Sequence, residues 1–497
     1  MIKISFNGAR ATITGSSKEL DFKLKELLSW IDKKLERAAY YQKWTPPNPK
    51  KSCYDPKTKS FPTGLLPKVT RFLDDILVKY ELEQLYKWEP HTPWELPEWA
   101  WDHQRLVVKT ALNHQRLMVS SPTASGKSKS MCWTILQYST QKVLVTVPQK
   151  ELMYSLTKQL AEFTDEPIGQ VGDSKSNWQR VTIGIMNSLS IHAAGKFAKE
   201  MTEVQVLLGD ECHTGACDMF INISNACVNT FFRAGFSATV FREDGADLVL
   251  EGVFGPLALK IPEMEMVGKG VSHKPDVRFV KVPAPDVIYS TAVMKKGKPE
   301  YPNGKPNQRE VMLTAICQNQ LRNELIVEIV KKYLEFNKQS QVLILVTEID
   351  NHGIPLQQTF ADRGLEIPFV HSQLQPKSKR ERLVKQFSNC EIRVLLSSPA
   401  LNVGVDFPSV GLTINAAAGS GKIGITQKTG RGVRTDKSGR KTRAVQVDFW
   451  DEEPYFYNNQ ARKRLAHLNS LYPECSKIVS VQELFNEFKV GRDTSSS

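Results

Sequence analysis

The chain of 497 residues is 41% hydrophobic and 24% charged, a globular balance that excludes a mostly disordered or fibrous protein. Lys and Arg number 66 against 53 Asp and Glu, a net charge of +13, and the length suggests about three domains. The longest apolar runs, such as 143–147 and 342–346, fall far short of the ~20 residues of a spanning helix. No basic segment followed by a long apolar stretch opens the chain, so no signal peptide is expected and a cytoplasmic location is. Cys212, Cys217 and Cys227, beside His213, lack the Cys-x-x-Cys pairing of a zinc site, and reduced thiols are expected.

Positive charge concentrates at the front. Residues 1–80 hold 16 Lys and Arg against 8 Asp and Glu, which is +8 of the total. Trp30, Tyr40, Trp44 and Tyr54 interleave with Lys33, Lys43, Lys50, Lys51 and Lys57. This composition suits a polyanion, nucleic acid being the commonest, and a solvated basic surface around a small core fits the charge equally well. Alternation over 1–14 predicts an edge hairpin, and Leu20, Leu24, Leu27, Leu28 and Ile31 predict a helix within 18–40. Residues 44–60 read as loop or strand-loop-strand, and 65–80 as helix. The expectation is a basic α+β nucleic-acid-binding domain over 1–85.

Residues 81–101 mix Pro90, Pro93 and Pro97 with Trp88, Trp94, Trp99 and Trp101, which predicts a connector lying on the next domain. From 102 to 270, apolar strands at 117–120, 143–147, 181–185, 204–208 and 232–236 alternate with helical stretches. That alternation predicts a doubly wound parallel sheet. Residues 283–310 read as a flexible insertion. A second series follows, with strands at 342–346, 394–397, 412–415 and 444–449. The fold class is therefore α/β, with two tandem doubly wound domains over 86–275 and 276–452 behind the small basic domain. Residues 453–497 read as a helical tail with a disordered end.

Ser121-Pro-Thr-Ala-Ser-Gly-Lys-Ser128 follows a strand and opens a helix, the setting of a phosphate-binding loop. Thr123, Ser125, Gly126 and Lys127 would cradle phosphates of ATP, with Lys127 neutralising the β- and γ-phosphates and Ser128 ligating Mg²⁺. Ser121 stands where the usual pattern has its first glycine. The strand before Asp210-Glu-Cys-His213 ends in two acids. Asp210 would hold Mg²⁺ and Glu211 would orient and deprotonate the attacking water, the alternative being two acids that cap the next helix. Gly419-Ser-Gly-Lys422 looks like a second phosphate loop, but Ile423 replaces the required hydroxyl, so a plain loop is expected.

Further motifs fall in order. They are Gln104 in Trp101-Asp-His-Gln104, Pro148, 181–189, Phe236-Ser-Ala-Thr239, Ser397 to Pro408 and Gln427-Lys-Thr-Gly430-Arg431-Gly-Val-Arg434. This series resembles the superfamily 2 helicases of the DExH type over about residues 100–450. The resemblance implies two RecA-like domains with ATP between them. Gln104 would contact adenine, Gly404 and Asp406 would serve the nucleotide, and Arg431 and Arg434 would reach the γ-phosphate, Arg434 as the arginine finger. His213, Ser237, Thr239 and Gln427 would couple hydrolysis to movement. Pro148, Asn187 and Ser398 would touch the nucleic-acid strand. Asn187 departs from the family pattern, in which Gln is frequent.

Two finer resemblances point to one branch. Arg242-Glu-Asp244 is similar to the element after the Ser-Ala-Thr motif in XPB-type DNA helicases, which makes Arg242 a candidate strand contact. Phe61-Pro-Thr-Gly-Leu-Leu-Pro-Lys-Val-Thr-Arg-Phe72 is similar to the front module of the UvsW-type phage recombination helicases, where Lys33, Lys43 and Trp44 would meet DNA. These imply an ATP-dependent DNA helicase acting on duplex, forked or branched DNA, with single-stranded DNA engaged during movement. An RNA helicase, or the motor subunit of a restriction or defence complex, remains an alternative.

Overall fold

The computed structural model describes residues 2–33, 35–36, 48–214, 217–239, 242, 244–283, 293–295, 298–300, 308–398, 407–452 and 455–490. Lys43, Trp44, Gly404, Asp406 and the polar end at 491–497 lie outside the described residues, as does most of the 283–310 segment. The chain divides into two units, Met1–Pro262 and Glu263–Ser497. No described helix is long and apolar enough to cross a membrane.

The first unit opens with β1 (Ile2–Phe6) and β2 (Arg10–Thr14), an antiparallel hairpin. A short ribbon follows, β3 (Ser29–Ile31) against β4 (Lys50–Ser52). Then β5 (Ser60–Pro62) and β6 (Tyr80–Gln84) flank the hairpin in the order β5-β2-β1-β6. The hairpin is thus central rather than at an edge, because Ile4, Ala11 and Ile13 all point into the core. Helix Lys18–Leu27 is capped by Ser17, whose hydroxyl accepts the Leu20 N–H at 3.2 Å. It ends well before residue 40. Leu28 closes the core, and the Ser29 hydroxyl donates to the Lys25 carbonyl at 2.5 Å as the chain turns into β3. Residues 80–84 are not connector but a strand, brought parallel to β1 by helix Leu66–Asp75.

This module is mounted on the body that follows it. The Gly8 N–H donates to Val228 O at 2.7 Å, and an Arg116 guanidinium nitrogen donates to Gly8 O at 2.5 Å. Gly64 lies against the backbone of Glu251 and Gly252 so closely that a Cβ there would collide with carbonyl oxygens. Leu248 joins the module's apolar core from the other side. From Pro90 onward the chain lies on the body as expected. Gln137 grips Thr92 and Trp94 by three hydrogen bonds, and the Trp99 ring sits 5.4 Å from Trp133.

The body is a sheet of β7 (Arg116–Ser120), β8 (Val143–Val147), β9 (Ile168–Gly172), β10 (Lys175–Asn177), β11 (Val181–Ile185), β12 (Val206–Asp210), β13 (Phe232–Ser237) and β14 (Leu257–Lys260). Their order is β10-β9-β11-β8-β12-β13-β7-β14, parallel except for β10. The parallel strands read as continuous apolar runs because helices cover both faces. Strands β10 and β14 at the two edges, and β9 beside β10, escape sequence reading. They are short and half-polar, and they exist because a neighbour offers an open ladder.

The second unit holds β15 (Asp276–Val282), a hairpin of β16 (Val293–Lys295) and β17 (Lys298–Glu300), β18 (Gln341–Leu345), β19 (Phe369–Val370), β20 (Val394–Ser397), β21 (Val410–Asn415), β22 (Val445–Asp451) and β23 (Ser476–Val479). Its main sheet runs β19-β20-β18-β21-β22-β15-β23, all parallel. The expected helical tail is integral to this unit. Strand β23 extends the sheet beside β15, and Leu484, Phe485 and Phe488 of helix Val481–Val490 enter the main core. Each such side chain contributes roughly 1.5–3 kcal/mol by leaving water.

Candidate active site

Strands β7 and β12 end on the same edge of the sheet, separated only by β13. Topology therefore brings the loop after Ser120 beside the acids after Gly209, the place where open α/β sheets take ligands. Two positive backbone angles shape the loop, Ala124 at φ +70° and Gly126 at φ +75°, and Glu211 takes φ +47°. Ser121 needs no such angle, which explains why a serine can replace glycine there. Its N–H donates to Ser237 O at 2.9 Å, and its hydroxyl pairs with Ser125 Oγ at 2.7 Å. Thr123 is exposed, and Ser128 sits half-buried on the first turn of helix Lys127–Leu136.

The Lys127 ammonium lies 2.9 Å from Asp210 Oδ1 and is hydrogen-bonded to Glu211 Oε1. Burial opposes its charge but is outweighed by the two carboxylates, which hold its pKa above the usual lysine value. Burial also raises the Asp210 pKa in spite of Lys127. Glu211 Oε2 is buried, 3.4 Å from His213 Nδ1, and has no hydrogen-bond partner among the described residues. His213 Nδ1 meets Ser237 Oγ at 2.5 Å, and Ser237 Oγ in turn accepts the Thr239 N–H at 3.0 Å. Burial pushes the His213 pKa down to about 4, with Lys127 and Arg242 acting in the same direction, so the ring is neutral at pH 7. Lys127, Asp210, Glu211, His213, Ser237 and Thr239 are thus one connected cluster.

Gln104 is tied to the loop. Its Oε1 accepts the Trp101 N–H at 3.1 Å, and its Nε2 donates to Ser125 O at 3.0 Å. His103 Nε2 reaches the same carbonyl at 2.7 Å. A Cβ at Gly126 would strike the Gln104 amide, so the glycine provides both the φ and the space. Pro148 caps β8 half-buried, and Asn187 is exposed on the first turn of helix Met186–His192. Arg242 is turned inward, 8% exposed, with its fork on Asp244 at 2.9 and 2.5 Å. Lys33 is exposed on the module.

In the second unit, Gln427 and Arg431 lie on helix Lys422–Gly432, with Arg431 buried at its last turn. Arg434 follows in an antiparallel bridge to Ser272. Backbone bonds fix this segment on both sides of Arg434: His273 N–H to Val433 O at 2.6 Å and Thr435 N–H to Val271 O at 3.0 Å. Ser398 is buried just after β20. In the Gly419 loop, the Gly419 carbonyl accepts from Arg464 at 2.9 Å.

Sequence reading missed what holds the arginine helix. Lys441 Nζ donates to Gly432 O at 2.8 Å. Lys428 Nζ donates to Asn415 Oδ1 at 2.9 Å, Asn415 Nδ2 to Asp448 Oδ2 at 2.9 Å, and Arg464 pairs with Asp448 at 2.9 Å, both fully buried. One signal was available. Asp448 interrupts the apolar strand Val445–Asp451, and a buried acid requires a buried cation.

Residues 101–247 match the DEAD/DEAH box helicase family, and residues 324–436 match the helicase conserved C-terminal domain. A protein bearing a helicase name from the Sulfolobus islandicus filamentous virus is 23% identical over 65% of this chain, and the match spans 59% of that protein's length. The DNA 3'-5' translocase XPB2 of Sulfurisphaera tokodaii is 22% identical over 67% of this chain and 78% of its own. The structure of Saccharomyces cerevisiae Dbp5 bound to RNA and ADP BeF3 superposes with a TM-score of 0.54 at 16% identity, covering 78% of this chain and 93% of that one. Two tandem RecA-like folds, an ordered motif series and a loop lysine held by two strand-end acids converge with these matches. The chain belongs to the superfamily 2 helicases, a family of ATP-dependent nucleic-acid enzymes.

Proposed function

We propose that the chain is an ATP-dependent DNA helicase or translocase of the XPB/UvsW-like branch that remodels branched DNA by unwinding, annealing or branch migration. The observation that carries this reading is the fusion of the basic module with the nucleotide loop in one unit. A duplex gripped by exposed lysines such as Lys18, Lys25, Lys51 and Lys57 is then held at a fixed place relative to the ATP site. The name of the XPB2 relative supports DNA over RNA.

Lys127 would exchange its two carboxylate partners for the β- and γ-phosphates of ATP. Ser128 and Asp210 would hold Mg²⁺, whose chemistry is to neutralise phosphate charge; hard oxygen donors suit it, and the ion commonly keeps few protein ligands. Glu211 would take the proton of the attacking water on Oε2, which has no hydrogen-bond partner among the described residues. Arg431 and Arg434 would stabilise transition-state charge. Gln104 would meet the adenine from its place against the loop, with Gly404 and Asp406 serving the nucleotide. His213, Ser237, Thr239 and Gln427 would couple hydrolysis to movement of the strand held at Pro148, Asn187 and Ser398.

The test is the ATPase rate with no nucleic acid, single-stranded DNA, forked DNA, a four-way junction and single-stranded RNA, each at two salt concentrations. Stimulation strongest with forks or junctions is the expected result. Stimulation mainly by RNA overturns the DNA assignment, and none at all overturns the reading.

A further inference from the structure

An open cleft of about 470 Å³ lies at the joint between the basic module and the body, within the first unit. Arg10, Trp30 and Tyr54 line it from the module, and Ile221, Asn225 and Val249 line it from the body. Strand pairing puts the module residues there. Arg10 opens β2 and pairs with Pro62 of β5, while Trp30 of β3 stands opposite Lys51 of β4. Ile221 and Asn225 are four residues apart on helix Cys217–Ala226 and so share a face. Pro62 also borders the cleft and packs on the body at Gly252, where a Cβ would stand 2.9 Å from Pro62 Cβ.

The polar groups of the cleft are held in advance. Arg10 Nε and Nη2 both donate to Ser60 Oγ, at 3.0 and 2.8 Å. Ser60 passes its own proton toward Thr58 Oγ1 at 2.8 Å, because Thr58 Oγ1 donates onward to Asp55 Oδ2 at 2.8 Å. The guanidinium therefore rests on a neutral hydroxyl, and its Nη1 has no hydrogen-bond partner among the described residues. Burial pulls the Arg10 pKa below its usual value, with Asp55 acting against that shift. Tyr54 is buried with its hydroxyl on Asp21 at 2.7 Å, which fixes its ring as a wall. Trp30 is half-buried on the same lining.

A partly buried guanidinium with an open donor is satisfied by a ligand that brings an acceptor. The volume lies within the ~300–1,000 Å³ of small-ligand clefts, enough for one nucleotide and far too little for a duplex. A nucleobase has both features the lining asks for: acceptors on its edge for Arg10 and a flat face for the Trp30 indole. Lys51 and Lys57 are exposed and adjoin the lining residues Ser52 and Thr58, so they can hold the flanking phosphates. Lysines beside the mouth favour a base still attached to its strand over a free one. We propose that the cleft is a pocket for a single unpaired nucleobase of bound DNA, taken out of the stack at a bulge or branch point. This rests on the proposed function and names the feature of branched DNA that the module recognises. Extrusion costs least where the base has no partner, so the pocket separates unpaired from paired positions.

The experiment measures affinity by fluorescence anisotropy on the full chain, with three duplexes of one sequence: fully paired, carrying one unpaired base, and carrying an abasic residue in place of that base. The last two have the same phosphates, so the ratio of their affinities reports the base alone. The wild type should bind the unpaired base about tenfold tighter than the abasic bulge. Trp30→Ala, Arg10→Gln and Asn225→Trp, the last filling the cleft from the body, should each bring that ratio to within about twofold of one. Trp30→Ala and Asn225→Trp should also leave affinity for the paired duplex within about twofold of the wild type. Thermal melts identify the folded variants, and either of these two suffices. A wild-type ratio near one, with DNA bound and turnover stimulated, overturns the inference alone. A ratio that persists in a folded Trp30→Ala or Asn225→Trp puts the base elsewhere and overturns it as well. A chain that neither binds DNA nor is stimulated by it overturns the functional reading and this inference with it.

Discussion

The two units hold their charged groups differently. In the first, Lys127, Asp210 and Glu211 satisfy one another across the ends of two strands, all from residues inside recognisable motifs. In the second, the arginine segment is held by groups from outside its motif: His273 and Val271 before the sheet, Lys441 after the helix, and Arg464 acting through Asp448 and Asn415 on Lys428. The phosphate loop is a local device that closes on itself. The arginine helix is a tertiary device, and its placement depends on helix Tyr455–Leu471, which carries Arg464 and reads in the sequence only as part of a tail.

The contrast can be broken most strongly at Arg434. Arg434→Ala should lower ATP turnover by about 10³-fold, measured as kcat at saturating ATP, if it acts as the finger. A loss below about tenfold moves that role to Arg431. Next, Arg464→Leu strands Asp448 without its buried cation and should cost about 3–5 kcal/mol in chemical denaturation. If that variant is as stable as the wild type, helix Tyr455–Leu471 does not hold the arginine segment.

Glu211→Gln should reduce turnover by about 10²-fold or more, with the protein folded and nucleotide still bound in an equilibrium titration. Near-normal turnover would remove Glu211 as the base. Replacing Lys18, Lys25 and Lys51 together by Ala should weaken DNA binding and lower the slope of log affinity against log salt by about one per lost contact. This is a cleaner probe than removing 1–85, because truncation would also uncover Leu248 and the body backbone that Gly8 and Gly64 cover.

The smallest effect concerns pH. His213 is neutral in the folded state, with a pKa of about 4, and the unfolded chain takes up a proton near 6.5. Below that value the unfolded state binds more protons, so the His213 contribution to stability is intact above about pH 6.5 and falls as pH drops toward 4. His213→Asn should flatten the stability profile in that window, measured by melts across pH. An unchanged profile would mean that His213 is not buried as described.

Much of the site was legible. Gly126-Lys127-Ser128 and Asp210-Glu211 stand out because each follows an apolar strand in a recognisable pattern, and the structure brings the two motifs together. Most strands of the parallel sheets were legible because buried strands are continuous apolar runs, but β15 inside the second sheet was missed, since Asp276, Arg278 and Lys281 break up its apolar run. The short strands β3, β6, β9, β19 and β23 were not legible either, because their patterns are weak and their pairing comes from a neighbour. Arg242 shows the limit most clearly. Its resemblance to a strand contact rests on residue type, whereas its actual direction is set by Asp244, His213 and the close approach of Ile31 at Gly245.

By itself, then, the sequence determined the fold class, the nucleotide chemistry and the concentration of positive charge at the front, because hydrophobic period, motif spacing and charge are local properties of the chain. Only the tertiary structure decided that the basic module is fused to the first unit, that the C-terminal tail belongs to the second, and which way Arg242 and Gln104 face. Those outcomes depend on backbone groups far apart in sequence coming within hydrogen-bonding distance, and nothing in a local pattern encodes such a meeting.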